Sequence, residues 1–133
     1  MGIFRRVPMA RGEEQRVAPA GEYSLVIRKV ESKKTKKGAD MDVLLVAFAD
    51  EPNFMPFSHF LVVPSEDSPY IDMQVRDIRR LCHVFDVPYT EEGYDPDDFV
   101  GAEGTCNVEV EVYEAEGKEP RENNRLVLPR VKG

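Results

Sequence analysis

Only one stretch of this chain has the apolar spacing of a helix, and its place between β-like segments limits the folds available. Ile71 begins a stripe of apolar residues that recurs every three or four positions as far as Phe85, which puts these side chains on one helix face. Ser65 and Ser68 are candidate N-caps, and Pro69 suits the first helical position. Such a helix has one apolar face to bury against another element.

The other patterned segments alternate apolar and polar residues, as half-buried strands do. Three precede the helix and two follow it, at about 21–30, 40–50, 57–63, 106–113 and 125–131. The fourth is the most regular, with inward positions predicted for Cys106, Val108, Val110 and Val112. The resulting order, β-β-β-α-β-β, fits an all-β class with one helix, the five-stranded OB-fold barrel. The helix would plug one end of that barrel.

The length of 133 residues suits one domain with its own core. Residues 1–20 lack periodicity and are expected to form an extended or flexible N-terminal arm, with the OB-fold domain over 21–133. No apolar run is long enough to span a bilayer and no signal peptide is recognisable, which favours the cytoplasm, that of the host cell if the protein is viral. The two cysteines, Cys82 and Cys106, are expected to be buried thiols.

Charge is divided unevenly along the chain. Residues 1–38 contain ten Lys and Arg against four Asp and Glu, whereas residues 39–133 contain eight against 21. The segment from Arg28 to Met41 holds six of the cations and only two acidic residues. It lies between two β-prone segments and is predicted to be a strand-to-strand loop. Local potential rather than the net charge of −7 steers a ligand, so this loop is a candidate phosphate contact. A solvated, solubilising turn is the alternative.

Single-strand binding in barrels of this class combines cations for phosphates with aromatic rings on which bases stack. Aromatic candidates lie around strands two and three and on the outward side of strand four; core packing is the alternative for each phenylalanine. The predicted nucleic-acid-binding residues are Arg28, Lys29, Lys33, Lys34, Lys36, Lys37, Phe48, Phe54, Phe57, Phe60, Tyr113, Lys118, Arg121 and Arg125. Lys118, Arg121 and Arg125 come from the loop between strands four and five.

The sequence offers no support for catalysis. His59 and His83 lack the neighbouring ligands of a zinc site, and residues 95–98 lack the glycine and distal glutamate of a calcium loop. There is no phosphate-binding Gly-rich motif and no nucleophile elbow. We therefore predict no enzyme activity, no catalytic residue, no metal and no cofactor.

Several short motifs of the chain are shared with a known family. They are Gly21-Glu22-Tyr23, the segment from Val30 to Met41 with its charged turn and following methionine, the helix segment 78–87, Phe99-Val100-Gly101, and Asn123-Asn124. In these motifs the chain resembles the phage-type OB-fold single-stranded DNA-binding proteins. Together they spread over about residues 20–131. Asp86 stands where that family often has glycine at the helix end.

The resemblance implies a protein that coats single-stranded DNA in phage replication, recombination or repair. Its expected partners are single-stranded DNA and replication or recombination proteins, with no membrane. Exposed edge strands and the arm are compatible with a homodimer. The alternative function is an acidic OB-fold protein-interaction or assembly module that does not bind nucleic acid, favoured by the excess of acidic residues beyond residue 38.

Overall fold

The computed structural model describes residues 2–12, 14–114 and 116–131. It is mostly β with one α-helix, as predicted. The strands are β1 (Gly21–Lys34), β2 (Asp40–Phe48), β3 (Phe57–Val62), β4 (Tyr89–Thr90), β5 (Gly93–Tyr94), β6 (Glu103–Tyr113) and β7 (Arg121–Val127). The helix α1 spans Ile71–Val84, and two 3-10 helices span Met9–Gly12 and Pro96–Phe99. No helix among the described residues is long and apolar enough to cross a membrane.

Five strands form one antiparallel sheet in the order β3-β2-β1-β6-β7. The predicted closure into a barrel is not found: in the described part of the chain no strand pairing joins β3 to β7. We call the gap between these two strands the seam. The N-terminal arm bridges part of the seam, because it forms hydrogen bonds with the segment before β3 and with β7.

Arm residues 15–19 are docked on the domain rather than extended away from it. Arg16 N–H donates to Asn53 O (2.9 Å) and its carbonyl accepts from Met55 N–H (2.8 Å), just before β3. On the other side of the seam, the buried Asn124 amide of β7 accepts from Ala18 N–H and donates to Ala18 O, both at 2.9 Å. Residues 2–12 are exposed. The arm therefore covers the end of the seam near Asn53.

The acidic segment between α1 and β6 contains a second, two-stranded sheet, β4 with β5, which the predicted element order lacked and which we call the acidic hairpin. Tyr94 anchors it by donating to the buried Asp42 carboxylate (2.9 Å). Phe99 is fully buried and its ring meets that of Tyr94 edge to face, whereas Val100 is 54% exposed. Tyr94 and Phe99 thus anchor this region to the core, although its sequence is mostly acidic.

The ranges of β1 and β7 differ most from the sequence-based ones. β1 continues past Val30 to Lys34, so most of the predicted basic loop is strand. β7 spans Arg121–Val127 instead of the predicted 125–131. In β6, Val110 and Val112 keep the inward side but are 37% and 52% exposed, because the strand extends beyond the core. The β1–β2 and β6–β7 hairpins are long. Backbone hydrogen bonds between their paired strands stabilise residues that lack an apolar pattern, so the strands extend past the core.

The helix packs its predicted stripe on the sheet through Ile78, Leu81 and Cys82. Neither predicted N-cap holds, because the residue before the helix is Tyr70 and no side chain caps it. Ser68 instead accepts from Tyr70 N–H and donates to Gln74. Both cysteines are free and buried as predicted, and burial raises the pKa of Cys82 to about 11.

The helix ends at an aspartate in a backbone conformation that favours glycine. Asp86 has φ of 51°, and Val87 N–H reaches back to Cys82 O (2.9 Å), as in a glycine-terminated helix. We expect Asp86→Gly to raise the free energy of unfolding by about 0.5–1 kcal/mol, because glycine lacks the steric cost of a left-handed residue. Asp86→Ala is the control and should destabilise; chemical denaturation measures both, and an unstable Asp86→Gly variant contradicts the expectation.

Candidate nucleic-acid interface

One side of the β1–β2–β3 sheet combines lysines with apolar side chains. Leu44, Val46 and Leu61 are buried in the core. Side chains alternate along a strand, so the residues next to them in sequence lie on the opposite side of the sheet. The paired residues there form three rows, which we call the outer face: Lys29, Leu45 and Ser58; Glu31, Val43 and Phe60; Lys33, Met41 and Val62.

Phe60 is the most exposed apolar side chain of this face. It is 58% exposed on the edge strand β3, whereas Met41, Val43, Leu45 and Val62 are half-buried. An aromatic ring exposed on a sheet and bordered by aliphatic side chains is a platform on which a base can stack. Phe60 therefore remains a predicted stacking residue.

Two lysines of the outer face share one carboxylate. Lys29 Nζ lies 2.5 Å and Lys33 Nζ 3.4 Å from Glu31 oxygens. Hydrogen bonds from Lys29 and then Lys33 hold the pKa of Glu31 below its usual range. All three side chains are at least 41% exposed, so the pairs contribute little to stability and a phosphate can replace the carboxylate.

A bulge in β1 gives these lysines their orientation. Ile27 pairs with Val46 and Lys29 with Leu45, so Arg28 is the extra residue, and it is exposed. At the bulge the backbone N–H of Ile27 donates to the carbonyl oxygen of Ala102 (2.9 Å). Without this shift of one residue, Lys29 and Lys33 would lie on the core side.

The β1–β2 turn extends the basic surface. It is closed by Thr35 N–H to Ala39 O (2.8 Å) and Gly38 N–H to Thr35 O (2.9 Å), with Gly38 at φ 88°. Lys36 and Lys37 are exposed at its tip, and neither joins an ion pair within the described residues. Lys34, in contrast, pairs with Asp40 at 2.7 Å. The turn thus presents two lysines beside the row that contains Lys33.

Three predicted stacking residues lie in the core. Phe48, Phe54 and Phe57 are at most 9% exposed. Phe48 and Phe54 meet each other and Tyr23 edge to face, and Phe57 lies tilted against Phe48. Arg16 of the arm covers Phe54 at 5.4 Å from the ring centroid. No face of these rings is open to a base, because they fill the space under the sheet and the docked arm. We therefore leave these three residues out of the proposed surface.

The β6–β7 hairpin brings a second aromatic residue to the outer side. Tyr113 is 54% exposed and pairs with Arg121 across the hairpin. Both line a cavity of about 380 Å³ that reaches Ser58 of the outer face. Lys118 is exposed in the hairpin turn, while Arg125 forms an ion pair with Glu109. Tyr113 and Arg121 therefore continue the outer face across the seam.

Most of the acidic hairpin's charge lies away from this surface. Tyr94 of that hairpin is bonded to Asp42, which points to the core side of β2 together with Leu44 and Val46. Phe60 and Val43 point to the other side of the same strands. The exposed acidic residues of this region are Glu91, Glu92, Asp95, Asp97 and Asp98. The sheet thus separates them from the lysines of the outer face.

Glu31 should limit the affinity of the outer face for a polyanion, because it competes with phosphate for Lys29 and Lys33. We expect Glu31→Gln to bind oligo-dT about threefold more tightly at low salt and to steepen the salt dependence, since each released lysine adds about 0.7 to the slope. Fluorescence anisotropy measures both. Glu103→Gln at the exposed start of β6 is the matched control; an equal gain there would show a general charge effect.

Sequence reasoning missed His59, Gln74 and Asp77, which together with Arg80 line a cavity of about 400 Å³ beside Phe60. Gln74, Asp77 and Arg80 are spaced by three, which the sequence shows. Their meeting with His59 depends on the packing of β3 against α1, which the sequence does not show.

Within the described residues, no group of three or more His, Cys, Asp or Glu is placed to hold a metal ion. The chain matches no protein-family model, and no curated protein is similar to it in sequence.

Proposed function

We propose that this protein binds single-stranded DNA along the outer face, without enzymatic activity, in replication, recombination or repair. One observation supports this most: Phe60 is exposed in the row between those of Lys29 and Lys33. Cations for the phosphates and a ring on which a base stacks are the two components of sequence-tolerant single-strand binding.

The fold we propose is a partly open OB type. Counting β6 and β7 as the fourth and fifth strands, the sheet runs third, second, first, fourth, fifth, and the third and fifth strands lie on either side of the seam. In OB folds the face of strands two and three and the flanking loops bind oligonucleotides. The outer face, the β1–β2 turn and the β6–β7 hairpin occupy those positions here.

Binding of labelled oligo-dT and of a duplex, titrated with salt side by side, tests the function. We expect oligo-dT to bind at low salt and to weaken steeply as salt rises, because bound counterions are released. The duplex should bind less tightly, since its bases cannot reach the ring of Phe60. Absence of oligo-dT binding at low salt contradicts the proposal.

Phe60→Ala should weaken oligo-dT binding about tenfold, because a stacked base contributes roughly 1–3 kcal/mol. Its effect on thermal stability should be small, since the ring is 58% exposed. Phe60→Tyr keeps a ring at the same position and serves as the matched control, with affinity close to that of the original protein. Equal affinities of the alanine and tyrosine variants would remove Phe60 from the interface.

The second candidate is an acidic protein-interaction module. The exposed acidic residues of 91–98 favour it, because they form a surface that repels nucleic acid. It predicts indifference to oligonucleotides at all salt concentrations, and the same titration therefore distinguishes the two functions.

A further inference from the structure

A cavity of about 400 Å³ lies between β3, α1 and β7, at the end of the seam away from the docked arm. Phe60 and Val62, which belong to the outer face, also line it. The cavity therefore opens beside the proposed stacking ring. Its volume falls in the range of about 300–1,000 Å³ that is typical of small-ligand sites.

One wall of the cavity is a row of polar helix residues. Gln74, Asp77 and Arg80 follow each other at intervals of three, so they share one side of α1. Gln74 Oε1 already accepts from Ser68 Oγ (3.0 Å), which leaves its amide N–H groups to donate. Neither Asp77 nor Arg80 joins an ion pair in the described part of the chain.

The other walls are a histidine and aliphatic side chains. Burial lowers the pKa of His59, against the opposing influence of Asp77, so the imidazole is neutral at pH 7 and offers one donor and one acceptor. Leu126 and Leu128 of the β7 end supply apolar surface. Apolar walls together with hydrogen-bond donors and one carboxylate suit a heterocycle that has both N–H groups and a carbonyl.

We propose that this cavity takes one unpaired base of the bound strand and that it prefers guanine. Guanine offers N1–H and the N2 amino group to the Asp77 carboxylate, and its O6 accepts from Arg80 or Gln74. Thymine and cytosine lack the pair of adjacent N–H donors, and adenine lacks the carbonyl. The inference rests on the proposed function, and it adds a base preference at one position to otherwise sequence-tolerant binding.

Anisotropy with four short labelled strands tests the preference: oligo-dT, and oligo-dT with one central guanosine, inosine or adenosine. A flexible strand can shift its register to place the single purine in the cavity. We expect the guanosine strand to bind about tenfold more tightly than oligo-dT, as expected for one well-made base contact. Inosine, which lacks the N2 amino group, should show a smaller gain and adenosine none.

Asp77→Asn separates base recognition from strand binding. It should abolish the gain from guanosine, so that this variant binds the guanosine strand and oligo-dT equally tightly, because the amide cannot accept two N–H donors as the carboxylate does. Asp72→Asn, on the same helix but outside the cavity, is the matched control and should keep the preference.

The outcomes distinguish the two proposals. If oligo-dT binds but guanosine adds nothing, or if Asp77→Asn keeps the preference, the cavity proposal is overturned and the proposed function stands. If neither oligo-dT nor the guanosine strand binds at low salt, both are overturned.

Discussion

Gly104→Ala should lower the melting temperature by about 10 °C or prevent folding, the largest effect on stability that we expect from a single methyl group. A Cβ at this position would lie 2.1 Å from Val84 O and 2.9 Å from Val84 C. These are backbone atoms at the end of α1, so no side-chain rotation relieves the contact. The helix must move off β6, and with it Leu81 and Phe85, which are buried in the core.

The expected loss is about 3 kcal/mol, at the upper end for overpacking, which corresponds to roughly 10 °C for a domain of this size. Differential scanning calorimetry measures it. Gly21→Ala is the matched control, because Gly21 also lies in the sheet and an added Cβ there would meet only the Tyr23 side chain at 3.6 Å. A Gly104→Ala variant as stable as Gly21→Ala would show that α1 does not pack as closely on β6 as described.

The largest effect on binding should come from replacing Lys33, Lys36 and Lys37 together with alanine. One lies on the outer face and two at the tip of the adjoining turn, and all are exposed. If each neutralises one phosphate, the slope of log affinity against log salt should fall by about 2, and affinity at about 0.1 M salt should fall on the order of a hundredfold. Salt titrations of oligo-dT binding measure both quantities.

A variant with the same change in net charge controls for long-range electrostatics. Arg5, Arg76 and Arg130 are exposed and lie outside the outer face, so their joint replacement with alanine should change the slope little. An equal fall in both triple variants would mean that the protein attracts DNA by its overall field, without a defined path along the lysines.

Local pattern was enough to predict the helix and the five strands of the main sheet, but not the small β4–β5 sheet. The spacing of Ile78, Leu81 and Cys82 predicts the face of α1 that is buried, because the helical repeat alone decides which residues share a side. Alternation likewise predicts the inward residues Cys106 and Val108 of β6. Boundaries were predicted less well: β1 reaches Lys34 because it is paired with Asp40 of β2, which is a property of the hairpin and not of the residues alone.

The candidate site shows where pattern is insufficient. Phe57 and Phe60 lie three residues apart in β3, yet the first is 3% and the second 58% exposed. Their alternation predicts opposite sides, but only the packed structure decides which side is the core. The same holds for Lys29 and Lys33, whose side depends on the bulge at Arg28.

By itself, then, the sequence determined the single helix, the β character of the rest and the concentration of cations before residue 38, because these follow from periodicity and composition. The tertiary structure alone decided that the sheet stays open at the seam, that the arm docks across it, and that Phe60 instead of Phe48, Phe54 or Phe57 is open to a ligand. These outcomes depend on which distant segments meet, such as Ala18 with Asn124, and no local pattern records such a contact.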